Sequence, residues 1–196
     1  MYNKCVHKQQ VAHTARGFSL IELLVTVSIV TLVTGLALVR YSSFNSTVLL
    51  NSQAYEIALD IRQTQLYSLS VGAVSGGSNF RDPYGIEFRT SSNNNTEYRI
   101  FQDTNNNTLG DSGEIFQNIL LGRNFTITSL CLYTDPNLDC TINQIEVLFE
   151  RPDFVARFTD GSNPVSASYA IVTVVDDMTG RTRDIRIDAS GYVTVE

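Results

Sequence analysis

The sequence predicts an α+β protein in which one long N-terminal α-helix, membrane-spanning in its first half, packs on a C-terminal antiparallel β-sheet domain. Three observations carry the prediction. Phe18 to Val39 is a run dominated by Leu, Ile and Val with a single charge, Glu22. Beyond it the apolar spacing stays near ~3.6 residues as far as about Ser70. From about Tyr84 the spacing becomes ~2, in short runs separated by Asn, Asp, Gly and Pro with no helical pattern between them.

The first element is a basic head. Lys4, Lys8, His7, His13, Arg16 and Cys5 all fall within the first seventeen positions, which hold no acidic residue. Past Gly17 the chain has no Lys, His or Trp, and its 11 Arg against 20 acids give −9 by side chains, against +3 for the head. A body without imidazole or a side-chain amine cannot run a Ser-His-Asp or Cys-His mechanism, bind zinc through His or form a Schiff base. Adjacent carboxylates such as Asp176 and Asp177 are a poor acid/base pair, because neighbours on a strand face opposite ways. The expectation is a protein that is not an enzyme.

The apolar run is the second element. As a helix rising ~1.5 Å per residue it would extend roughly 33 Å, close to the ~30 Å hydrocarbon thickness of a bilayer. Lys4, Lys8 and Arg16 precede it and only Arg40 closes it, so the positive-inside tendency leaves the head in the cytoplasm and the body outside. No Ala-x-Ala site follows the run, as a secretory signal would require, and Cys5 lies too early for a lipid anchor. Glu22 stands out because a carboxylate in a spanning helix is expensive in lipid and usually marks function.

The neighbours of Glu22 give it a role. The string Arg16-Gly17-Phe18-Ser19-Leu20-Ile21-Glu22-Leu23-Leu24-Val25 closely resembles the processing site of type IV prepilins and type II secretion pseudopilins. The resemblance implies that a prepilin peptidase and N-methyltransferase cuts between Gly17 and Phe18 and methylates Phe18, which places Glu22 fifth in the cut chain. It further implies a structural subunit that sits in the inner membrane by a single pass, N-terminus in the cytoplasm. From there it would join other subunits, through an assembly platform, in an extracytoplasmic pilus or pseudopilus. Physically, the Glu22 carboxylate of one helix can pair with the Phe18 α-ammonium of a neighbour, neutralising two charges that lipid penalises and setting register. The segments expected are a leader over 1–17, a membrane and assembly helix over 18–39, its amphipathic continuation over 40–71 and a β-rich domain over 72–196.

In the continuation, Leu50, Ala54, Ile57, Ala58 and Ile61 form one stripe, and the helix is expected to stop at Gly72 and the loop Ser75 to Ser78. The strands expected after it are 84–89, 98–102, 115–121, 125–130, 142–149, 154–159, 168–175, 181–187 and 192–195. The closing run from Ile145 to the C-terminus resembles the C-terminal sheet of minor pseudopilins of the GspH/FimT type.

Three constellations carry chemistry. Cys131 and Cys140 are the only thiols once the head is gone, and an even pair in an exported domain is expected to be a disulfide. Numbered from Asp103, oxygen ligands fall at the spacing of an EF-hand calcium loop: Asp103, Asn105, Asn107, the Leu109 carbonyl, Asp111 and Glu114. Thr108 stands where such loops carry Gly, and a β-branched residue tolerates positive φ poorly. The same loop also reads as an ion-free Asn-rich hairpin. Third, Gly180-Arg181-Thr182-Arg183 with Arg186 resembles a motif associated with DNA binding in minor pilins of DNA uptake systems. On a strand Arg181 and Arg183 would project to one side. Asp176, Asp177, Asp184 and Asp188 nearby, and a body at −9, favour ion pairing or a subunit interface over a polyanion.

Overall fold

The computed structural model describes residues 17–69, 82–91, 94–150 and 154–196, without the side chains of 39–45. The head through Arg16, Gly72 and the expected loop at 75–78 lie outside the described residues. Helix α1 runs Leu20–Leu69. The chain divides into two compact units between Ser42 and Ser43. In the first, the apolar stretch Leu20–Leu38 is helical and none of it is buried.

The second unit holds the rest of α1 and eleven strands: β1 (Tyr84–Arg89), β2 (Glu97–Gln102), β3 (Ile115–Leu120), β4 (Phe125–Thr134), β5 (Asn137–Asp139), β6 (Gln144–Phe149), β7 (Ala156–Thr159), β8 (Pro164–Val165), β9 (Tyr169–Asp176), β10 (Arg181–Asp188) and β11 (Val193–Val195). They form two sheets, ordered β3-β2-β1-β6-β7-β8 and β11-β10-β9-β4-β5. Every pairing is antiparallel. The α+β class therefore stands, and the strands divide between two sheets where the sequence suggested one. β5 and β8 were not foreseen, because two or three residues are too few to show an alternating pattern. β4 runs on past Leu130 to Thr134, so that Cys131 and Tyr133 lie within it.

Periodicity explains the core. Leu50, Ala54, Ile57, Ala58 and Ile61 of α1 are all buried, in one cluster with Ile86 and Phe88 of β1, Tyr98 and Ile100 of β2, Val147 and Phe149 of β6, and Val172 and Val174 of β9. β9 alternates without interruption, Ala170, Val172, Val174 and Asp176 inward and their neighbours half-exposed. Polar side chains fasten the helix at its margins. Gln53 Oε1 accepts from the Gly122 N–H at 2.7 Å, and Gln65 Nε2 donates to the Gly191 carbonyl at 2.6 Å. The Tyr98 hydroxyl donates to Asp60.

The six-stranded sheet is buried on its other face as well, which alternation alone does not predict. Gly85, Glu87, Phe101, Glu146 and Leu148 lie there, and Phe101 and Leu148 have no exposed surface. The turn 103–114 folds over this face, with the Gly110 N–H donating to Glu146 Oε1 at 3.1 Å.

Candidate functional site

The site that the sequence marks most strongly begins one turn ahead of α1. The first helical hydrogen bond runs from the Leu23 N–H to the Ser19 carbonyl at 3.1 Å, so Gly17 and Phe18 precede the helix and Glu22 falls in its first turn. Gly17 has open space where a side chain would stand, and Phe18 is 78% exposed. Among the described residues, the Gly17–Phe18 bond thus lies on an uncrowded backbone.

The residues after Glu22 suit a lipid environment. It is the only charged residue in Leu20–Leu38. Each hydroxyl from Thr26 onward is satisfied inside the helix: Thr26 donates to the Leu23 carbonyl, Ser28 to Leu24, Thr31 to Val27 and Thr34 to Val30, at 2.7 to 3.0 Å. Polar groups that bond their own backbone need no partner from the bilayer. An uncharged face with its hydrogen bonds closed leaves Glu22 as the single group that gains from a cationic neighbour.

Cys131 and Cys140 are disulfide-bonded, nine residues apart. The bond closes the β4–β5 hairpin over the Tyr133↔Leu138 pairing.

The turn 103–114 is built around two buried carboxylates. Asp103 Oδ1 accepts from the Asn107 N–H at 3.1 Å and Oδ2 from the Thr108 N–H at 2.9 Å. Glu114 Oε1 accepts from the backbone of Thr104 and Asn105 at 2.8 and 3.1 Å. The Asn105 and Asn107 amides both donate to Asp111 Oδ2, at 2.9 and 2.8 Å. Burial pushes the Asp103 carboxyl up, against the pull of the N–H groups of Thr108 and Asn107. Thr108, the residue that disfavours positive φ, has φ of 67° here, so the loop adopts the bend at its sixth position despite the missing glycine. Among the described residues no three His, Cys, Asp or Glu side chains gather as a ligand set. The six positions named from spacing share one turn, and side-chain oxygens of Asp103, Asn105, Asn107, Asp111 and Glu114 accept from the turn's own N–H groups.

The arginines of β10 face two ways. Arg181 donates to Thr47 Oγ1 and Arg183 Nε to Asn51 Oδ1, so both reach the same side, onto residues one turn apart on α1. Arg186 lies 4.0 Å over the Tyr169 ring and pairs with Asp188 at 2.8 Å. Tyr169 in turn stacks on Tyr133 at 4.7 Å. All three guanidiniums are engaged by their own chain. Asp176 and Asp177 are likewise structural: Asp176 takes the Met178 N–H and the Thr179 hydroxyl, and Asp177 takes the Thr126 hydroxyl.

Sequence reasoning missed the ionic cluster under the turn. Glu87 is fully buried, paired with Arg89 and, at 2.9 Å, with Arg99. Directly across from it in register is Glu146, equally buried. Glu146 Oε2 takes the Thr159 hydroxyl at 2.5 Å. The available signal was a single Glu in the middle of each of two strands that are otherwise apolar but for Arg89 and Gln144 at their ends.

Among the described residues the geometry first defines a class: a protein with one N-terminal apolar helix long enough to cross a membrane, followed in sequence by a disulfide-bonded β domain. Residues 13–38 match the family described as the prokaryotic N-terminal methylation motif, which spans the Gly17-Phe18 bond, Glu22 and the apolar helix. That match indicates a type IV pilin or pseudopilin, processed by prepilin peptidase, assembled with other pilins, anchored by a single pass and structural in kind. No curated protein and no solved structure matches the chain.

Proposed function

We propose that this chain is a minor pilin or pseudopilin of the GspH/FimT type, serving a type IV pilus or a type II secretion system. Residues 1–17 are the cytoplasmic leader. The peptidase removes them, Phe18 is N-methylated, and Glu22 pairs with the Phe18 ammonium of a neighbouring subunit as the helices bundle. Residues 40–71 and 72–196 then stand outside the inner membrane as the body. The observation that carries this reading is the juxtaposition of Gly17-Phe18, Glu22 and a fully unburied apolar helix within the matched motif. Mass spectrometry of the protein extracted from membranes tests it. The expected N-terminus is N-methyl-Phe18, and an N-terminus at Met1 would sink the proposal.

Calcium is the ion proposed for the turn 103–114, drawn by Asp103, Asn105, Asn107, the Leu109 carbonyl, Asp111 and Glu114. What supports it is the EF-hand-like spacing of these oxygen-bearing residues and the bend that the loop makes at Thr108. Melting with calcium against melting with a chelator tests it, and coincident curves remove the ion. The alternative function, a DNA-binding minor pilin using Arg181, Arg183 and Arg186, is tested by a low-salt mobility shift. Binding by wild type that Arg181→Ala with Arg183→Ala abolishes would favour it.

A further inference from the structure

The outer edges of the two sheets are unequal. β8 is two residues long and starts at Pro164. β5 is three residues, followed directly by the Cys131–Cys140 bond. β11 is three residues, and its Val193 carbonyl accepts from Arg62 Nη2 at 3.3 Å. Short, covered or proline-bearing edges keep a sheet from pairing outward. Among the described residues, none of these protections is found on β3. It is six residues, Ile-Phe-Gln-Asn-Ile-Leu, with no charge, Pro or Gly.

Its unpaired groups can be assigned. The Leu121 N–H donates to the Thr96 carbonyl at 2.8 Å, and the register continues Leu120↔Glu97, Ile119↔Tyr98 and Asn118↔Arg99. Bonded positions alternate along an antiparallel ladder. Leu121 and Ile119 therefore bond β2, while Asn118 and Leu120 turn their N–H and C=O groups outward. Leu120 is 73% exposed, and Asn118 is exposed beside it. The strand also has a charge at each end. Asp111 is exposed in the turn that leads into β3, and Arg123 is exposed just past its end, with no ion pair to either among the described residues.

We propose that β3 is a self-pairing edge: a second copy of this chain adds its own β3 antiparallel, about a two-fold axis at Ile119. In that register Asn118 and Leu120 of each copy bond Leu120 and Asn118 of the other, which uses the outward groups and joins the two six-stranded sheets. Each Arg123 comes level with Ile115 of the other copy, beside the turn that carries Asp111, so opposite charges meet at both ends. The uncharged centre lets two bodies of −9 approach without setting like charges face to face. The pairing does not depend on the processing site.

Sedimentation of the detergent-solubilised full chain over a concentration series, with amide hydrogen exchange on the same samples, tests the proposal. The expected result is a concentration-dependent dimer in which the Asn118 and Leu120 amides exchange more slowly than in the monomer. Asn118→Pro removes an outward N–H while leaving the ladder to β2 intact, and is expected to be monomeric with an unchanged melting temperature. Leu120→Lys provides a second disruption that does not touch the backbone. Arg123→Glu is expected to weaken the dimer about fivefold, the scale of two exposed ion pairs. A wild-type monomer at every concentration overturns the proposal. So does a dimer in which the Asn118 and Leu120 amides stay unprotected, since that association would run through another surface.

Discussion

Replacing Gly85 by Ala tests how the turn 103–114 is held on its sheet. A Cβ at Gly85 would lie 2.3 and 2.6 Å from two atoms of the Phe101 ring. Ordinary carbon contacts are ~3.5–4.0 Å, so the ring has to retreat by about an ångström or more. It has nowhere to go. Phe101 is wholly buried, and its ring also meets Gly110, where a Cβ would stand 3.0 Å from it. Overpacking of this kind costs about 1–3 kcal/mol, offset by ~0.4–1 kcal/mol because Ala restricts the unfolded chain more than Gly. A net loss of about 1–1.5 kcal/mol is expected for Gly85→Ala. Phe101→Ala, which empties the clasp, is expected to lose about 3–5 kcal/mol. With the ring gone the added methyl has room, so Gly85→Ala in the Phe101→Ala background should cost close to nothing. Equilibrium denaturation of the four proteins in one detergent gives the coupling directly. Equal losses from Gly85→Ala in both backgrounds would refute the clasp, as would a loss below about 0.5 kcal/mol in the wild-type background.

Three further outcomes are expected. Changing Cys131 and Cys140 together to Ser should lower stability in oxidising buffer by about 2–3 kcal/mol, the loop-closure value for a nine-residue separation, and a reductant should reproduce it in wild type. Burial raises the Glu87 carboxyl from 4.5 to about 7 against the pull of Arg89. Its contribution is therefore fully present below about pH 4.5 and is lost as pH rises through 7, on the order of 3 kcal/mol in all. Melting curves at stepped pH read this, and Glu87→Gln should flatten the slope across that window. Gln65→Ala should cost about 1–2 kcal/mol by stranding the Gly191 carbonyl, measured by denaturation, whereas Gln63→Ala on the exposed side of the same turn should cost little.

Much of the fold was legible because it rests on local periodicity. The stripe Leu50, Ala54, Ile57, Ala58 and Ile61 is buried as its spacing requires, and the 84–89 strand has the bounds its alternation gave. Other features were not legible. A strand buried on one face and a strand buried on both can carry the same polar residue at the same position, and Glu87 and Glu146 acquire meaning only when register sets them opposite each other. The arginines of β10 were legible as a same-side pair, but their partners Thr47 and Asn51 stand more than a hundred residues away in sequence.

By itself the sequence determined where the N-terminal methylation motif lies, which stretch is long and apolar enough to cross a bilayer, which helix residues face the core and which two thiols pair. Each of these follows from composition or spacing over about ten to twenty neighbouring residues, where chain connectivity already sets the geometry. Only the tertiary structure decided that the strands form two sheets, that the Phe101 ring packs on both Gly85 and Gly110, that an ionic cluster lies beneath the Asn-rich turn, and that β3 is an unprotected edge among the described residues. These depend on which distant segments become neighbours. That choice is made by the burial of the whole unit at once, so no local pattern carries it.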